Sequence, residues 1–141
     1  MLTRALFALA LILGGMAATA AEAGEPKVLA LGLSDHELTQ EELATAETPS
    51  VPRFNSAGIA YGWVQGLKKG DAVEIALVKD GKPLMGNSET IDYDAERYLF
   101  QAGKLGVPAG GWPDGKYQAV LKVARDGKTL IDQSSAPTPF E

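Results

Sequence analysis

Gly115-Lys-Tyr-Gln-Ala-Val-Leu-Lys-Val-Ala-Arg-Asp-Gly-Lys-Thr-Leu130 carries the clearest structural signal in the chain. Tyr117, Ala119, Leu121 and Val123 occupy alternate positions, so all four side chains leave one face of an extended backbone. Lys116 to Ala124 therefore reads as a strand. Asp126-Gly127 tolerates the positive φ of a tight hairpin, and a return strand from Lys128 to near Ser134 follows. The same chemistry occurs earlier. Ile75-Ala-Leu-Val-Lys-Asp-Gly-Lys-Pro-Leu84 is again strand, Asp-Gly-Lys turn, strand. Two such hairpins do not make a solenoid, which needs more copies stacked in succession.

Working outward, Ile59, Tyr61 and Trp63 alternate with Ala60, Gly62 and Val64, a strand with two different faces. Leu67 to Asp71 is a turn. Val73, Ile75 and Leu77 alternate with Glu74 and Ala76. Pro83-Leu84-Met85 is expected as a short return strand at a sheet edge, where proline's missing donor is tolerated. Gly86 to Glu96 reads as a polar, acidic connection, and Arg97 to Ala102 as the next strand. Gly103 to Gly115 is a loop by its glycine and proline content. The tail, with Pro137 and Pro139, is expected along an edge or frayed. About seven short strands without a long amphipathic helix predict an all-β, antiparallel β-sandwich.

Gly115-Lys116-Tyr117-Gln118-Ala119 resembles the start of the penultimate strand of immunoglobulin-like and fibronectin-type domains, where a tyrosine after an Asp/Gly turn fixes a corner. Asp114 stands one place closer to the tyrosine than in that pattern. Ala119 takes a position often held by Cys, and Trp63 falls on the second strand rather than the third. The resemblance is to the broad class of bacterial exported immunoglobulin-like domains. It spans residues 53–140 and implies the immunoglobulin-like form of the sandwich, but no particular ligand.

The start of the chain reads differently. Arg4 provides a positive n-region, Ala5 to Leu13 an apolar h-region, Gly14-Gly15 a helix break, and Ala18-Thr19-Ala20 small residues before a cut. Residues 1–21 are expected to be a cleavable signal peptide, with Ala23 a second possible last residue. The apolar run falls well short of the roughly 20 residues of a membrane span, so no stable membrane insertion is expected after cleavage. Residues 22–52 read as an N-terminal strand around Lys27 to Leu33 followed by an acidic linker. There Thr39 and Glu42 have capping-box spacing, and Leu38 and Leu43 suit at most a short helix. Pro49 and Pro52 close this region, and the sandwich domain is expected over 53–141.

With no cysteine, the chain can carry neither a lipoprotein acyl anchor nor a disulfide. That favours a bacterial periplasmic or secreted protein over a disulfide-rich exported domain. The formal charge is −5, and Arg4 is the only charged residue of 1–21, so cleavage leaves −6. There is no Lys/Arg stripe, which argues against nucleic acid and anionic lipid as partners.

The residues that carry chemistry are few. His36 is the only histidine and lies in the acidic segment, where it reads as solvated; nucleophilic catalysis and a zinc or copper centre lack their usual residues. Glu89, Asp92, Asp94 and Glu96 are candidate calcium ligands, although a solvated acidic loop accounts for the same pattern without an ion. Tyr61, Trp63 and Trp112 are candidate ligand-binding aromatics. As core rings they need no ligand; if exposed, they form a stacking platform for a sugar or peptide. No cofactor is implied. The expected role is a non-enzymatic module that binds another envelope or secreted macromolecule through a sheet edge or loops. A sugar or small-ligand module comes second, and a hydrolase with paired carboxylates last.

Overall fold

The computed structural model describes residues 24–45 and 47–141; the expected signal peptide lies outside the described residues. Seven strands form two antiparallel sheets. Strands β1 (Lys27–Ser34), β2 (Gly58–Leu67) and β5 (Ala95–Lys104) make one, in the order β1-β2-β5. Strands β3 (Ala72–Lys79), β4 (Lys82–Thr90), β6 (Tyr117–Arg125) and β7 (Lys128–Ser134) make the other, in the order β4-β3-β6-β7. The chain crosses between sheets at β2–β3, β4–β5 and β5–β6. One short helix, α1 (Gln40–Ala44), lies between β1 and β2.

The all-β sandwich follows from the alternation. Val73, Ile75 and Leu77 of β3 and Tyr117, Ala119, Leu121 and Val123 of β6 turn inward and are fully or almost fully buried. They meet Ala60, Val64, Phe100 and Ala102 from the opposite sheet in one core. Each tight hairpin has positive φ at both central residues, Asp80 and Gly81 in one, Asp126 and Gly127 in the other. That geometry matches the twist of the flanking strands.

One end of the core is closed by three rings. Tyr117 and Phe140 stack at 3.9 Å, and Trp112 meets both edge-on. The Tyr117 hydroxyl donates to the carbonyl of Pro113, four residues upstream, at 2.5 Å. The tail is held in place: Tyr117 and Thr138 exchange backbone hydrogen bonds, which carries Phe140 into the core. At another point Asp71 is fully buried and accepts from Nε and Nη2 of Arg125, and from the amide of Lys68. Burial works to raise the Asp71 carboxyl, but the guanidinium and the amide prevail and hold it below the ordinary value. Arg125 also donates to the carbonyl of Gly24, pinning the approach to β1.

The N-terminal strand expected around Lys27 to Leu33 forms as a strand of the sandwich itself: β1 pairs along β2, from Lys27 opposite Gln65 to Ser34 opposite Ile59. The acidic stretch folds back over the same sheet. The polar connection expected at Gly86 to Glu96 is shorter, because β4 runs on to Thr90 and β5 begins at Ala95. Of β4 only Met85 packs against the core and the other residues are exposed, so the strand carries no apolar alternation to announce it.

Candidate functional site

The two outer faces of the sandwich are finished differently. On the three-stranded sheet, Tyr61 and Trp63 of β2 point away from the main core. There they join Leu38 and Leu43 in a second, smaller core, with Leu29, Ala30 and Leu99 at its margin. The cover is the arm Asp35–Thr45. Its helix is short, but both halves of a capping box form: the Glu42 amide donates to the Thr39 hydroxyl, and the Thr39 amide donates to the Glu42 carboxylate. The arm is tied down by side chains of the sheet. Gln101 accepts from the Leu38 amide at 2.8 Å and donates to the Leu38 carbonyl at 3.1 Å. Trp63 Nε1 donates to Gln40 Oε1 at 2.9 Å, and Arg97 lies over the Trp63 ring at 5.7 Å.

The three candidate aromatics are buried. Tyr61, Trp63 and Trp112 are only 5%, 8% and 5% exposed. Trp63 and Tyr61 are core rings, though of the outer core rather than the interior between the sheets. Trp112 folds over the end of the main core, with its indole N–H donating to the Ser56 carbonyl at 2.8 Å. None of the three offers a ring face for stacking.

The four candidate calcium ligands are spread over a strand, a connection and the next strand. Among the described residues, no group of three or more acidic or histidine side chains is close enough to hold a metal ion. Glu89 lies on β4 opposite Val73 and accepts from the Tyr98 hydroxyl at 2.6 Å, a bond that pushes that phenol up to about 12. Asp94 accepts from the Lys69 amide at 3.0 Å. Asp92 stays in the connection and Glu96 is the second residue of β5. The extension of β4 separates residues that are near in sequence.

The outer face of the four-stranded sheet has no such cover among the described residues. Ala76, Val78 and Val120 line the floor of a groove of about 670 Å³, and Leu84, Met85 and Gly86 of β4 form its wall. Ala76 stands opposite Gly86, and this pair of small residues lowers the floor. Glu74 and Lys122, cross-strand partners on β3 and β6, close one end with opposite charges. Strand β4 is the sheet's edge, and every residue but Met85 is exposed, Leu84 at 45%. From Pro83 to Ser88 it carries no charge. Edge strands are usually blunted by charge, by proline or by a covering segment; here Lys82 and Pro83 guard only the start. The Asn87 side chain donates to the Gln101 carbonyl, bridging to the facing edge of the other sheet.

The sequence located the Asp-Gly hairpin that builds this edge but not the groove. The available signal was that Ala76, Val78 and Val120 are apolar at outward positions of strands whose inward positions are also apolar. No protein-family model matches the chain, and a comparison with curated proteins finds no significant match.

Proposed function

We propose that this chain is an exported, immunoglobulin-like interaction module that accepts an extended segment of another envelope or secreted polypeptide as an added strand on β4. The observation that carries the reading is β4 itself: a nine-residue edge strand, solvent-exposed along its length, uncharged from Pro83 to Ser88 and flanked by an apolar groove. Strand addition draws its affinity from main-chain hydrogen bonds and its selectivity from alternate side chains entering pockets. The groove beside Leu84 and Gly86 would take those side chains. Export rests on the Arg4, Ala5–Leu13 and Ala18-Thr19-Ala20 pattern at the start of the chain. The immunoglobulin-like class is supported by the three-plus-four strand arrangement and by the Tyr117 hydroxyl bonded to the Pro113 carbonyl. In this reading the module acts by binding.

The test is site-specific photo-crosslinking in the native envelope, with the photoreactive residue at position 84 or, as control, at Asp132 on β7. Position 84 is expected to capture one exported polypeptide. A synthetic peptide covering its crosslinked segment is expected to slow amide exchange in β4. Equal capture at 84 and 132, or a peptide that leaves β4 exchange unchanged, would overturn the reading.

A further inference from the structure

His36 holds a position that its exposed location in the sequence did not suggest. Its Nδ1 lies 2.7 Å from Asp35 Oδ1, and its Nε2 lies 2.7 Å from Glu42 Oε2. An ionised carboxylate only accepts hydrogen bonds, so two such contacts require an N–H on both ring nitrogens. Only the imidazolium has that. A neutral ring satisfies one carboxylate and turns a lone pair toward the other. The bridge therefore exists as drawn in one protonation state.

The bridge also joins the parts that close the arm. Glu42 Oε2 meets His36, while Glu42 Oε1 accepts from the Thr39 amide in the capping box. Behind His36, the buried Ser34 hydroxyl at the end of β1 donates to the His36 carbonyl at 2.7 Å and accepts from its amide at 3.2 Å. Ser34, His36, Glu42 and Thr39 thus connect β1 to the start of α1. Leu38 and Leu43, on that arm, cover Tyr61 and Trp63. The Asp35 amide donates to the Ser50 carbonyl, so the departure of the arm and the return of the chain lie side by side.

We infer that the arm Asp35–Thr45 is a pH-sensitive cover over the Tyr61–Trp63 face, closed most firmly while His36 is doubly protonated and loosened when it becomes neutral. The charged groups around the ring agree on the direction. Asp35 and Glu42 touch it, and Glu47, on the returning chain, lines the same depression. On the sheet beneath, the charge nearest the covered face is Arg97, over Trp63 rather than against the imidazole. The hydrogen bonds to Asp35 and then Glu42 raise the His36 titration above its ordinary 6.5. The folded state thus binds the proton more tightly than the unfolded chain. The stabilisation is complete below pH 6.5 and is lost as pH rises through the raised value. What the loosened arm uncovers is a second apolar face, with Trp63, Tyr61, Leu29 and Leu99 on it and the Arg97 guanidinium at its margin.

The mature protein contains its own probes. The Trp63 indole N–H is bonded to the arm through Gln40, whereas that of Trp112 is bonded to Ser56 outside it. Indole hydrogen exchange is followed by NMR across pH 5.5 to 9 and corrected for the intrinsic rate measured on a tryptophan model compound. The opening constant of Trp63 is expected to be larger than that of Trp112 and far less sensitive to added urea, because little surface is exposed when the arm alone lifts. It is also expected to rise about two- to fivefold as His36 loses its proton, the range of a solvent-exposed ion pair. His36→Gln cannot change charge and is expected to show the raised opening constant at every pH. Trp63 and Trp112 sharing one opening constant and one urea dependence would overturn the proposal, as would an unchanged pH rise in His36→Gln.

Discussion

The two outer faces of the sandwich begin from similar material and end differently. Both sheets carry apolar residues at outward positions: Tyr61, Trp63 and Leu99 on one, Ala76, Val78, Leu84 and Val120 on the other. The three-stranded sheet is covered by the chain's own arm, while the four-stranded sheet is left open. Side-chain size separates them. Two large rings exposed together would form a sticky patch, and burying them under Leu38 and Leu43 removes it. The open face is built from small and branched residues around Gly86, which leave a shallow trough rather than a projecting patch. One face is thus finished within the chain, and the other is left uncovered by the described residues.

The largest effects should separate the faces outright. Trp63→Ala removes an anchor packed under the arm and is expected to cost about 3 kcal/mol of unfolding free energy, the scale of an aromatic deleted from a core. Leu84→Ala on the open face is expected to stay within about 0.5 kcal/mol, as for a surface change that touches no special feature. Urea unfolding of both variants gives the comparison. A Leu84→Ala loss as large as that of Trp63→Ala would mean that the β4 wall is structural, and the contrast between the faces would fail.

The difference in cover was only partly legible in the sequence. Strands with inward apolar residues at every second position announced themselves, as Tyr117 to Val123 did, because burial on one face imposes a period of two. The Asp-Gly turns were legible because few residues accept two consecutive positive φ values. Strand β4 was read too short, since Asn87, Ser88, Glu89 and Thr90 are paired on one side and solvated on both faces, so no burial pattern marks them. The arm was legible in its cap, from Thr39 and Glu42, but not in its destination. Leu38 and Leu43 are two apolar residues in an acidic stretch. That they cover Tyr61 and Trp63 depends on Gln101, more than sixty residues away, whose amide stands in for a neighbouring strand. Glu89 and the acidic residues that follow it are likewise divided between strand and connection, because no burial pattern marks the end of β4.

Gln101 offers a sharper test than the rings, because it acts on the arm without filling the core. Gln101→Ala leaves the Leu38 amide and carbonyl without their partner. Groups that are partly buried and lose a hydrogen bond typically cost about 1–3 kcal/mol. The expected outcome is a lowered urea midpoint together with faster exchange of the Leu38 amide. A loss near zero would mean that water replaces the glutamine without penalty, and that the arm is held by Leu38 and Leu43 alone.

The smallest effect within the arm is the most informative in combination. Thr39→Ala removes the side-chain half of the cap and is expected to cost about 1 kcal/mol in the otherwise unaltered protein. A five-residue helix has little stability of its own, so the arm's closing free energy sets a ceiling on what any change confined to it can remove from the fold. Once Gln101→Ala has lifted the arm in most molecules, losing the cap as well has nothing left to destabilise. Thr39→Ala is therefore expected to cost much less in the Gln101→Ala background than alone, read from urea unfolding of the two single variants and the double variant. Equal costs in both backgrounds would show that the arm remains closed after Gln101→Ala and that cover and sandwich unfold as one unit. The covered face would then be as permanent as the core between the sheets.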